Sequence, residues 1–169
     1  ANPGAAAGLL EHWRGRTWER RDYWVSEPGT TNNRMALRSA IEGLRLLRRP
    51  CQVIFVSDSQ YLVKGFVEWL PGWKARGWRR KGGAPENLEL WKQLDAEASR
   101  HRIDWRWVRG HAGDPRNEYA NHLAVRAAKL LDASGGLVAS GFSDWLADRR
   151  QARGEYLEFD ETRQTEGGD

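Results

Sequence analysis

The chain has 169 residues, 40% of them apolar and 30% charged, with a formal net charge of +4. That is one domain's length with an ordinary globular composition, and no apolar stretch approaches the roughly 18 residues that a membrane span needs. The start, Ala1-Asn2-Pro3-Gly4, shows no basic-then-apolar secretory pattern, and the single Cys51 has no internal disulfide partner, so a cytoplasmic protein is expected. Charge is uneven: residues 132–169 hold nine acids and four arginines, a net of −5, which leaves +9 on the first 131 residues. A basic body fits a polyanionic partner; a solvated charged surface is the plainer alternative.

Gly8 to Arg14 and Thr17 to Val25 alternate loosely around Gly15-Arg16, which predicts a β-hairpin. Asn32 or Asn33 then caps a helix whose apolar positions Leu37, Ala40, Ile41, Leu44 and Leu47 keep helical spacing up to Pro50. Residues 52–57 read as a buried strand that delivers Asp58 at its C-terminal end. A helix from Ser59 to about Leu70 is expected to stop at Pro71-Gly72, followed by a short basic, glycine-rich segment and a helix from Glu86 to about Arg100. Ile103 to Val108 reads as the last core strand, and Asp114-Pro115 as the cap and first turn of a helix reaching about Leu131. Beyond Ser134-Gly135-Gly136 a small helix is expected from Phe142 to Gln151, and Thr165 to Asp169 have the composition of a disordered end. Alternating strands and helices around one mixed sheet make an α/β fold.

Three segments carry the chemistry: Thr30-Thr31-Asn32-Asn33-Arg34-Met35, Val56-Ser57-Asp58-Ser59-Gln60-Tyr61 and Val108-Arg109-Gly110-His111-Ala112-Gly113. In this order they resemble the type 1 ribonuclease H family in its bacterial form. The resemblance covers Asn2 to about Leu131 and implies a ribonuclease H-like fold over residues 1–131. That fold is a mixed central sheet flanked by helices, with a basic handle. Residues 132–169 are left as an acidic, partly disordered extension. The resemblance further implies a monomer that hydrolyses the RNA strand of RNA/DNA hybrids. The reaction would use two magnesium (or manganese) ions held by four carboxylates, since hard cations take oxygen ligands.

The sequence departs from that pattern at the acids. The family's first acid lies on a strand shortly before an Asn-Pro-Gly; here Asn2-Pro3-Gly4 opens the sequence, so that strand is expected to be missing. The second acid falls at Ala36, the third is Asp58, and the fourth falls at Asn121. Asp58 and Asn121 are then the metal ligands, one charged and one neutral. Two close cations repel strongly without anionic ligands, so weak metal binding and little cleavage are expected. The alternative is a non-catalytic module that binds hybrid or duplex. His111 matches a loop histidine that assists proton and product transfer in the family; a solvated loop histidine is the bland alternative. Asp58 has a second reading as a cap for the helix from Ser59. Glu118 and His122 share a helix face that Asn121 does not, so neither is taken as a replacement ligand.

Contacts to nucleic acid are better preserved. Asn2, Asn32, Asn33 and Gln60 match residues that touch the two strands at sugar edges and minor groove, which suits recognition by shape and 2′-hydroxyl. Thr31 matches a residue of a DNA-phosphate pocket. Five of the eight residues from Lys74 to Lys81 are basic: Lys74, Arg76, Arg79, Arg80 and Lys81. With Trp73 and Trp78 they resemble the family's basic handle, whose cations neutralise phosphates and release counterions. A charged surface loop is the alternative. Trp91, Trp105 and Trp107 match core tryptophans and are read as packing. Glu155 to Asp160 alternates enough to serve as a strand, with Asp160 standing in for the first acid; an ordinary extension competes with that reading.

Overall fold

The structure is a computed structural model that describes residues 2–111 and 113–163. Strands β1 (Asn2–Trp13) and β2 (Trp18–Thr30) pair antiparallel from Trp13↔Trp18 to Asn2↔Thr30. The hairpin is longer than the apolar alternation predicts. Its open end contains a bulge between Asn2 and Gly4 opposite Pro28-Gly29, where proline has no N–H to give the ladder. Tyr23 on β2 lies between Gly8 of β1 and Gly43 of the following helix, and a Cβ at either glycine would run into its ring. The Tyr23 hydroxyl donates to the Ser39 carbonyl at 2.7 Å, which ties hairpin to helix.

That helix, α1 (Asn32–Arg45), is capped by Thr31 rather than by either asparagine. Thr31 has extended backbone angles, and its hydroxyl accepts the Arg34 N–H at 3.2 Å. Leu37, Ala40, Ile41 and Leu44 are buried, as their spacing predicts. Strands β3 (Gln52–Ser57) and β4 (Arg102–Trp107) pair parallel from Gln52↔Arg102 to Ser57↔Trp107. The sheet therefore comes in two parts among the described residues, one of β1, β2 and a short β5 (Val138–Ala139), the other of β3 and β4. Ile54 and Val56 of β3 are 36% and 47% exposed.

Helix α2 (Gln60–Lys64) is capped by Ser59, whose hydroxyl accepts the Leu62 N–H at 3.1 Å. It passes through a π-helical turn, Gly65–Trp69, into α3 (Leu70–Ala75). The helix thus runs through Pro71-Gly72 instead of ending there. Pro71 falls in the first turn of α3, where its missing N–H is tolerated after the wide turn. Helix α4 (Leu88–Ala98) follows Asn87, which is left-handed at φ 57°, and so starts later than Glu86. Leu37, Leu44, Leu62, Trp91 and Leu94 form one core, with Phe55, Ile103 and Trp105 of the parallel strands packed against it.

A second core holds the end of the chain. Helix α5 (Pro115–Leu130) contributes Tyr119 and Leu123, and α6 (Phe142–Arg153) contributes Phe142 and Leu146; Ala7, Leu9 and Trp24 of the hairpin lie beneath them. Between these helices, Ser134 accepts the Trp24 N–H at 3.0 Å, and β5 pairs with Arg21 and Asp22 of β2. The extension therefore folds on the body as far as residue 163, and the expected small helix is present. Thr165 to Asp169 lie outside the described residues. Tyr156 to Phe159 form a turn rather than a strand, because Arg150 draws the Tyr156 and Phe159 carbonyls towards α6. Asp160 accepts the Thr162 N–H at 2.9 Å there. Among the described residues no helix is long and apolar enough to cross a membrane.

Candidate functional site

Parallel pairing sends β3 and β4 in one direction, so the residues that follow them gather at one end of the sheet. Asp58 and Gln60 follow β3, and Gly110 and His111 follow β4. Ligands of parallel sheets sit at this carboxyl end, where loops converge. Val108 N donates to the Ser57 carbonyl at 3.0 Å, holding the two strand ends together. The Trp107 indole donates to the Asp58 carbonyl at 3.1 Å, and the Asn117 amide donates to Asp58 Oδ2 at 3.2 Å. A Cβ on Gly110 would lie 3.2 Å from the same Oδ2, so glycine leaves that carboxylate its room. The Ser59 hydroxyl caps α2, and Asp58 keeps an exposed carboxylate.

Trp107 is a correction to the packing expectation. It is 43% exposed and serves as a hydrogen-bond donor behind Asp58, whereas Trp91 is fully buried and Trp105 lies between Phe55 and Phe66. Asn117 went unnoticed in the sequence. The available signal was its position one turn before Asn121, which puts both amides on one side of α5. Asn121 is exposed. Ala36 lies half-buried on α1 against the main core. His111 is exposed and left-handed at φ 55°, with Nδ1 3.3 Å from a Glu118 carboxylate oxygen. Glu118 is thus the neighbour that the His111 ring meets.

The donor set decides which cation fits. Among the described residues there is no group of three or more Asp, Glu, His or Cys side chains placed to hold a metal. One exposed carboxylate suits at most a single, largely hydrated magnesium ion that also binds substrate phosphate. It does not fit two such ions side by side.

The binding residues fall in two groups. Register places Asn2 opposite Thr30, next to Thr31, Asn32 and Asn33 at the start of α1, all four exposed. The handle forms the other. Arg79, Arg80 and Lys81 lie in an exposed loop closed by an Arg80–Gly83 bridge, and Arg76 is exposed at the end of α3. Lys74 is held by Asp95 at 3.1 Å. Trp73 is largely buried against Trp91, and Trp78 is half-buried with Lys92 Nζ 5.9 Å from its ring centroid. Trp73 also lines a cleft of about 290 Å3 with Tyr61, Trp69, Arg80, Pro85 and Glu86. The arginines of α1 differ from those of the handle, since Arg34 and Arg38 both bond Glu27 at 3.2 Å.

Comparison with protein families matches residues 2–129 to RNase H. The chain belongs to the ribonuclease H family. It is 47% identical over 132 residues to a ribonuclease H of Pseudomonas paraeruginosa, covering 77% of this chain and 87% of that protein. It is 55% identical over 107 residues to a ribonuclease HI of Caulobacter vibrioides, covering 63% and 72%. Among solved structures it is similar to LC9-RNase H1, described as a type 1 RNase H with the type 2 active-site motif. That match has a TM-score of 0.79 and 44% identity, and covers 89% of this chain and 82% of the other. The family's general activity is hydrolysis of RNA in RNA/DNA hybrids, and the ribonuclease H fold accounts for the α/β arrangement described above.

Proposed function

We propose that this ribonuclease H chain binds RNA/DNA hybrids, and that its cleavage of the RNA strand is weak in the sequence as it stands. The observation that carries the reading is Asp58 at the end of the sheet, whose exposed carboxylate accepts from Asn117 and whose backbone carbonyl accepts from Trp107. Asp58 and Asn121 would hold a divalent cation, magnesium or manganese, which supplies positive charge to polarise the scissile phosphate. Asp58 is the charged donor, and Asn121 offers only an amide oxygen. His111, exposed beside Glu118, would be the group that assists at bound nucleic acid. Asn2, Thr31, Asn32, Asn33 and Gln60 would meet sugars and phosphates, while Arg76, Arg79, Arg80 and Lys81 steer the duplex. The aromatic cleft of Tyr61, Trp69 and Trp73 beside Arg80 offers flat apolar surface to one strand.

A second reading follows from Ala36 and Asn121: the chain retains hybrid without cutting it. Both readings share the binding surface and differ only at the carboxylates. The deciding measurement is cleavage of an end-labelled RNA/DNA hybrid, first with magnesium and then with manganese. Slow cleavage that is abolished by Asp58→Asn supports the enzyme. Intact RNA with retained binding leaves the binding module. Cleavage that survives Asp58→Asn, or no affinity for hybrid, removes the first reading.

A further inference from the structure

We propose that Asn117 is a positioning residue for Asp58: its Nδ2 holds Oδ2, and so leaves Oδ1 as the oxygen offered to a divalent cation. This deepens the reading above and rests on Asp58 as a cation-binding carboxylate.

The geometry has three parts. Asn117 stands in the first turn of α5, which Asp114 fixes by accepting the Arg116 N–H at 2.9 Å. From there its amide reaches 3.2 Å to Asp58 Oδ2 across 59 residues of sequence. Gly110 leaves room beside the same oxygen, since a Cβ there would lie 3.2 Å from it. Oδ2 is therefore engaged by the Asn117 amide. Trp107 holds the backbone of the same residue through its carbonyl, which fixes the point from which the side chain pivots. A carboxylate so held presents one defined oxygen, whereas an unheld one loses rotamer freedom on binding a cation. In a site with a single carboxylate, that freedom weighs heavily.

The test is a manganese titration of the 15N-labelled chain, read from paramagnetic broadening of the Asp58 and Gly110 backbone amides and the Asn117 side-chain amide. Asn117→Ala is expected to raise the half-broadening concentration roughly three- to tenfold, the effect of losing one partly exposed charged hydrogen bond. Asn117→Asp is expected to lower it, because a second carboxylate then joins the first. Thermal unfolding of each variant runs alongside. A half-point unmoved by Asn117→Ala overturns the positioning role, as does a shift accompanied by a matching loss of stability. Absence of broadening near Asp58 in the unsubstituted chain overturns the cation reading itself. Because the readout is binding, weak cleavage does not obscure either result.

Discussion

Tyr119 of α5 donates its hydroxyl to the buried carboxylate of Asp22 on β2, and the Gly141 N–H reaches the same oxygen at 3.2 Å. One carboxylate thereby joins the hairpin, α5 and the extension. Asp22 Oδ1 has no hydrogen-bond partner among the described residues, so each remaining bond counts. Tyr119→Phe is expected to cost about 1–3 kcal/mol, measured by urea unfolding at neutral pH. Burial first, and Asp22 second, hold the Tyr119 proton above its ordinary value of 10.0. The unfolded chain then loses that proton more readily. Stability is full below about pH 10 and falls as pH rises past it, and Tyr119→Phe should flatten this alkaline loss.

The extension is structural as far as residue 163. Phe142 is fully buried between Tyr119 and Trp145, with the Arg20 guanidinium 5.0 Å from its ring centroid. Phe142→Ala should destabilise by about 3–5 kcal/mol, as other buried aromatic truncations do. Amide exchange should rise across α6 and along the outer edge of β2, where β5 pairs. Unchanged exchange at Arg21 and Asp22 would mean that β5 does not hold the sheet edge.

Much of this was legible in the sequence, for identifiable reasons. The spacing of Leu37, Ala40, Ile41 and Leu44 predicts the buried face of α1, and Gln52 to Val56 predicts β3, because both patterns are local. The run from Gln60 to Ala75 was misjudged because a π turn absorbs what Pro71 disrupts, and no residue pattern announces such a turn. Asp58 was visible as a carboxylate after an apolar strand. Asn117 and Trp107 were not visible as its partners, since those contacts span 59 and 49 residues and exist only once the strands pair. The fold of the extension was partly hidden too: its acidic composition conceals two buried anchors, Phe142 and Leu146.

His122 gives a second pH dependence, of opposite direction. Burial lowers its proton affinity, and Arg126 and Arg149 lower it further. The ring stacks on Tyr119 beside Trp145, where a positive charge is unwelcome. The unfolded chain therefore binds the proton more readily. Stability is whole above the ordinary histidine value of 6.5 and declines as pH falls below it. His122→Gln should make stability flatter between pH 7 and pH 5, read as the urea midpoint across that range. An equal slope in the variant would assign the loss to other groups.

The handle predicts a salt effect. Arg79, Arg80 and Lys81 lie exposed on one loop, and each phosphate contact contributes a slope of about 0.9 to the dependence of log affinity on log salt. Replacing all three by alanine should weaken hybrid binding and reduce that slope by roughly 1 to 3. The Lys74–Asp95 pair predicts a smaller loss for Lys74→Ala, since that cation is already partly neutralised. Fluorescence anisotropy over 50–300 mM salt separates the two variants. An unchanged slope in the triple variant would move the phosphate contacts away from this loop.

The residues at 36 and 121 set the last expectation. Two doubly charged ions about 4 Å apart repel by roughly 17 kcal/mol at an effective dielectric constant of 20, and one carboxylate offsets only part of that. Ala36→Glu alone adds one negative charge, from a half-buried position on α1, and should raise manganese affinity without restoring rapid turnover. Asn121→Asp alone should do the same from the exposed face of α5. Together they should exceed the sum of their separate effects on cleavage, because the second ion is retained only when both charges are present. The measurement is single-turnover cleavage of a hybrid by the four forms of this cycle. Additive gains would mean that the two positions act on different ions, or that one ion suffices.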